Sequence, residues 1–173
     1  LVPPAPGFLE GLREACDAAG AMLLFDEVIT GFRLCHGGAA EWFGVQPDVW
    51  CFGKVIGGGL PMGAYGASLE IMSNVAPLGG VYQAGTLSGN PLATAAGLAA
   101  LEHLTVGAYA ALTDRAVRLQ EGMQAAFDAA CVAAVLPRVG PLLGIFFTDT
   151  APHDFDSAKA AADNGVYPRF FHG

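Results

Sequence analysis

Two short apolar runs, each closed by a charged residue and followed by glycine, constrain the fold of this chain more than any other feature. The first covers residues 21–25 and ends at Asp26. The second covers residues 48–52 and leads through Gly53 to Lys54. Runs this short have the length of a buried strand rather than of a helix. A helix is expected before the first run, over residues 7–19, because Phe8, Leu9, Leu12 and Ala15 recur at helical spacing and Gly20 is placed to end it. Residues 64–67 form a third strand candidate. Helix, strand, loop and strand in this order predict an α/β architecture with a mostly parallel sheet. In open sheets of that kind ligands sit beyond the carboxyl ends of the strands, and both Asp26 and Lys54 fall at such ends.

Further along, Ser88 or Asn90 caps a helix that Pro91 opens, expected to run to about residue 104. A more amphipathic helix is expected over residues 113–131, with Leu112, Ala116, Leu119, Met123 and Phe127 along one stripe. Residues 135–139 and 142–148 read as two strands broken by Gly140-Pro141, and residues 157–163 as a short helix. A composition shift near residue 106 divides the chain into 1–105 and 106–173.

The chain is 53% hydrophobic, enough to build a core, and its net charge of −8 argues against a nucleic-acid surface, which needs clustered cations. No apolar run approaches the roughly 20 residues of a membrane span. Residues 1–6 have neither the basic nor the apolar region of a signal peptide. Cys16, Cys35, Cys51 and Cys131 form no CxxC pair and stand at no ligand spacing to the histidines, so free thiols in a reducing cytoplasm are expected rather than a metal site or a disulfide framework. The absence of an initiator Met, and an end at Gly173 inside an apolar pattern, read as a piece of a longer protein.

Three segments could carry chemistry. Lys54 is one of two lysines and lies among apolar and glycine residues. Burial there would lower its pKa and make the amine a nucleophile; the alternative is a surface lysine on a glycine loop. A phosphate-binding P-loop is excluded by order, since the glycines mostly follow the lysine and Val55 stands where that motif needs a hydroxyl. Asp26 ends a buried strand, where a carboxylate needs a cationic or hydrogen-bonding partner; it could meet a protonated ring nitrogen, cap a turn or pair with Arg33. Glu27 reads as structural. Residues 82–91 form a polar, glycine-bearing loop opening a helix, suited either to a phosphate or to plain capping.

Together these segments resemble the class III aminotransferases, fold-type I enzymes dependent on pyridoxal 5'-phosphate (PLP). The similar stretches are Leu24-Phe25-Asp26-Glu27-Val28-Ile29-Thr30-Gly31-Phe32-Arg33, then residues 53–66 from Gly53-Lys54-Val55-Ile56 onward, then Tyr82-Gln83-Ala84-Gly85-Thr86-Leu87-Ser88-Gly89-Asn90-Pro91. Their order and separations also match: 28 residues from Asp26 to Lys54 (54 − 26) and 32 from Lys54 to Thr86 (86 − 54). The resemblance implies a partial large PLP-binding domain in residues 1–105 and the start of a small α+β domain in 106–173. It implies that Lys54 carries PLP on its amine and shuttles protons between substrate carbons. Asp26 would pair with the pyridine nitrogen and Val28 would pack on the ring. Gly85 and Thr86 would bind the phosphate of the cofactor in a neighbouring subunit, so a cytoplasmic homodimer is implied.

Ile29, where many transaminases of the family have Gln, is similar to the branch that moves an amino group within one amino-aldehyde substrate. A transaminase with separate donor and acceptor, and a fragment serving only as a binding module, stay open. The family's phosphate cup and ring-stacking aromatic have no counterpart here, so these 173 residues are expected to be inactive alone. Which of Arg33, Arg115, Arg118, Arg138 and Arg169 would meet a substrate carboxylate does not follow from spacing.

Overall fold

The computed structural model describes residues 1–173, which form two units: Gly7–Ala108, and Leu1–Pro6 together with Tyr109–Gly173. The first unit contains α1 (Phe8–Ala19), β1 (Leu24–Glu27), α2 (Gly38–Phe43), β2 (Val49–Phe52), a 3-10 turn at Lys54–Gly57, β3 (Ala64–Ala67), α3 (Leu69–Met72) and α4 (Pro91–Glu102). The fold is α/β, as the apolar runs predict. The sheet has the order β1-β2-β3, with β1 and β2 parallel and β2 and β3 antiparallel.

α1 ends where Gly20 takes a left-handed φ of 64° and returns its N–H to the carbonyls of Cys16 and Asp17. β1 alternates: Phe25 and Glu27 are buried, Leu24 and Asp26 face out. Phe25 joins Leu23, Ala40 and Val45 in a core against which Leu9, Cys16 and Trp50 pack. α1 is further tied to the lead-in of β2. Arg13 donates from Nη1 to Asp48 Oδ2 at 2.8 Å, and the same oxygen accepts the Leu23 N–H at 2.7 Å. These two donors hold the Asp48 carboxyl below the usual carboxylate range, and the pairing with Asp48 raises the Arg13 guanidinium.

α5 (Val106–Ala129) starts within the first unit and lies in the second from Tyr109 on, where β4 (Arg138–Val139), β5 (Leu142–Leu143), α6 (Phe155–Asp163) and α7 (Val166–His172) follow. α5 starts well before the expected residue 113, because Thr105 Oγ1 accepts the Ala108 N–H at 3.2 Å and caps it. The expected strands 135–139 and 142–148 shrink to a two-residue antiparallel ladder and one further bridge, Val135 to Phe146. α7 has no counterpart in the sequence reading. It forms because Phe170 packs its ring 5.2 Å from Phe147 and 5.9 Å from Phe127, at the core of Phe127, Leu136 and Phe147. No single helix is long and apolar enough to cross a membrane.

Candidate functional site

The site begins at the carboxyl end of β1. The expected strand ends at residue 25, but β1 continues through Asp26 to Glu27, and the reason is the Glu27 carboxylate. Glu27 is 1% exposed, with no cation beside it. Its Oε2 accepts the Thr30 hydroxyl at 2.6 Å and the Ala39 N–H at 2.8 Å, and its Oε1 accepts the Ala40 N–H at 2.9 Å. The first turn of α2 thus satisfies the buried charge with backbone donors. Gly38 has φ 66°, and a Cβ there would overlap the carboxylate. Glu27 is structural, as expected, and pins the segment that follows Asp26.

Asp26 lies on the outward face, with Oδ1 accepting the Val28 N–H at 3.0 Å and no ion pair to Arg33. Within the chain its carboxylate therefore caps the turn, and Oδ2 has no partner. In the sheet register Asp26 stands opposite Cys51, which stands opposite Tyr65. Two residues beyond Cys51, Gly53 packs so closely on Val28 that a Cβ would lie 3.1 Å from Val28 Cγ1. Lys54 follows directly. The sheet thus places Asp26, Val28 and Lys54 toward the carboxyl end of the parallel pair β1–β2.

Lys54 opens the 3-10 turn with φ 46°, a left-handed backbone rare outside glycine. Such outliers persist only where the surroundings enforce them, and they cluster at functional sites. Here α4 enforces it. A Cβ on Gly97 would overlap the Ile56 carbonyl, and one on Gly58, itself at φ 58°, would overlap the Ala96 carbonyl. The glycine seam docks the turn on α4 backbone to backbone. Lys54 is exposed in this chain, the second of the two readings its sequence context allows, and Gly53, Gly57 and Gly58 have no side chains to cover it. It lines a cleft of about 590 Å³ with Arg33, Leu60, Pro61 and Met62.

A second cleft, of about 740 Å³, shares Pro61 and Met62 with the first and is also lined by Cys51, Tyr65, Gln83, Gly85, Ser88 and Asn90. It ends on the start of α4, where Asn90 Oδ1 accepts the Ala93 N–H at 2.9 Å. Gly85 is thus brought to the cleft. Thr86, in the exposed turn of residues 86–89, lines neither. Glu27, Gly58 and Gly97 carry positioning duties that spacing did not single out.

An outward carboxylate and an exposed lysine are thus set toward the carboxyl end of the parallel pair β1–β2 by an alternating strand and a glycine-docked turn. The family described as "Aminotransferase class-III" matches residues 1–173, and the chain belongs to it. Among curated proteins it is similar to "Glutamate-1-semialdehyde 2,1-aminomutase" of Syntrophobacter fumaroxidans, 55% identical over 172 residues, and to its namesake in Nitratidesulfovibrio vulgaris, 52% identical over 171. These alignments cover 99% of this chain and 40% of each relative, so the chain spans about 40% of the length of the curated relatives it matches. Among solved structures it is similar to an omega-transaminase from Sphaerobacter thermophilus (TM-score 0.81, 38% identity, 87% of this chain and 35% of that one). A glutamate-1-semialdehyde-aminomutase from Pseudomonas aeruginosa in complex with PMP matches with TM-score 0.80 and 31% identity, over 92% of this chain and 38% of that one.

Proposed function

We propose that the protein containing these 173 residues catalyses a PLP-dependent intramolecular amino transfer, converting glutamate-1-semialdehyde to 5-aminolevulinate for tetrapyrrole synthesis. The observation that carries this reading is the placement of Asp26, Val28 and Lys54 toward the carboxyl end of the parallel pair β1–β2, in a chain whose curated relatives at 52–55% identity bear the aminomutase name.

The residues fit the cofactor. Asp26 has a carboxylate oxygen without a partner in the chain and faces out of the sheet, and Lys54 is exposed. Lys54 Nζ would hold PLP covalently and move a proton between adjacent substrate carbons. The Asp26 carboxylate would keep the pyridine nitrogen protonated, and Val28 would cover one ring face. When bound, PLP supplies an electron sink for the substrate carbon that loses a proton. Gly85 and Thr86 would hold the phosphate of a neighbouring subunit's cofactor, which makes the assembly a homodimer. Residues 1–105 would belong to the large cofactor-binding domain and 106–173 to a small C-terminal one. The phosphate cup and ring-stacking aromatic would come from outside these residues, and the enzyme would be cytoplasmic.

A second reading, an ordinary transaminase, is favoured by the 38% identity to the omega-transaminase structure. The two separate on one assay. The protein expressed from the full reading frame, given glutamate-1-semialdehyde and no other amino compound, is expected to release 5-aminolevulinate. A strict requirement for an external amino donor and a keto acid would overturn the aminomutase reading.

A further inference from the structure

Asp26 and Glu27 are neighbours on opposite faces of β1, and they are held very differently. Asp26 has one hydrogen-bond partner in the chain, the Val28 N–H at 3.0 Å from Oδ1. Glu27 is 1% exposed and accepts three hydrogen bonds, from the Thr30 hydroxyl and from the Ala39 and Ala40 N–H groups. Its backbone is fastened as well. The Glu27 carbonyl accepts the Gly31 N–H at 2.8 Å, and a Cβ on Gly31 would lie 2.7 Å from both that carbonyl and the Phe52 ring. The Thr30 carbonyl in turn accepts the N–H groups of Arg33 (3.0 Å) and Leu34 (3.1 Å), and Leu34 is 2% exposed.

Only Val28 and Ile29 lie between the two fastened points, Glu27 and Thr30. The place of the Val28 N–H is therefore set by the contacts of Glu27, and that N–H is the one group that orients the Asp26 carboxylate. A side chain held by a single donor keeps its direction only while the donor stays put. Loss of the Glu27 carboxylate would leave the Thr30 hydroxyl and the Ala39 and Ala40 N–H groups without their acceptor inside the fold, a costly state that the turn can relieve only by moving. The turn carries Val28 with it, and Val28 is packed closely on Gly53, the residue before Lys54.

We infer that Glu27 is a positioning residue for the cofactor. Through the turn it fastens, it fixes the direction of the Asp26 carboxylate, so that this group meets the pyridine nitrogen without first giving up rotamer freedom. Glu27 is buried on the other face of β1 and acts through Asp26. This rests on the reading of Asp26 as the partner of that nitrogen. The test is a double-mutant cycle on the protein from the full reading frame, titrated with pyridoxamine 5'-phosphate, whose amine forms no covalent bond to Lys54. Glu27→Gln is expected to weaken binding about three- to ten-fold, the size of one side chain left to find its own rotamer. In an Asp26→Ala background the same change is expected to have no further effect. Thr30→Val, which removes one of the three donors, gives a smaller loss of the same kind and decides the matter should Glu27→Gln not fold; Thr30→Ser, which keeps the hydroxyl, binds like the native protein. Native affinity in both Glu27→Gln and Thr30→Val overturns the inference. So does an equal loss with and without the Asp26 side chain, the result that a merely structural role produces. Native affinity in Asp26→Ala alone sinks the underlying reading instead.

Discussion

Asp48 and Lys54 show how single residues in this chain are set by partners far off in sequence. Lys54 keeps a left-handed backbone, a state that costs about 1–3 kcal/mol, and the α4 seam opposes that cost. Asp48 is held by the Arg13 guanidinium and the Leu23 N–H, both of which favour its charged form. Its folded pKa lies below its unfolded one, so the stability it contributes is present above the ordinary carboxylate pKa and is lost as pH falls below about 4. Asp48→Asn is therefore expected to lower the thermal midpoint at neutral pH and to flatten its decline below about pH 4. An unchanged acid limb would show that the pair adds nothing. The pair joins α1 to the entrance of β2, so its loss is also expected to loosen the helix–sheet contact around Leu9 and Cys16.

At the scale of elements, the decisive contact is the seam of Gly58 and Gly97 between the Lys54 turn and α4. Gly97→Ala would drive a methyl group into the Ile56 carbonyl. The substitution is expected to cost about 1–3 kcal/mol in denaturant melts, against the usual small gain of alanine over glycine in a helix, and to lower the yield of cofactor attachment at Lys54. A neutral or stabilising result would mean that the seam does not hold the turn. What the sequence makes legible follows the same division. α1, β3 and the Pro91 start of α4 rest on local signals: apolar spacing closed by Gly20, a short apolar run, and Asn90 beside Pro91. α2 hides in a glycine-rich stretch because its first turn is organised by Glu27, a dozen residues upstream. α7 depends on aromatic packing against Phe127 and Phe147, and β4 and β5 are cut short at the Gly140 turn, where φ is 53°. Asp26, Val28 and Lys54 were readable as a motif. The left-handed backbone of Lys54 and the glycine seam to α4 were not, because both depend on packing between segments distant in sequence.

Across the whole chain, the net charge of −8 contrasts with the Lys54 cleft, whose walls hold Arg33 and Lys54 and no acidic residue. The chain folds as two units, and family membership extends over all 173 residues. The proposed homodimer gives Gly85 and Thr86 a role that Lys54's own cleft does not use, since neither lines it. All of these assignments converge on one covalent bond. The protein from the full reading frame, loaded with PLP, reduced with borohydride and digested, should yield in mass spectrometry a reduced pyridoxyl group on the peptide spanning Lys54, and none in a Lys54→Ala variant. An unmodified Lys54 peptide in a folded, cofactor-loaded protein, or an adduct on Lys159 instead, would contradict the account.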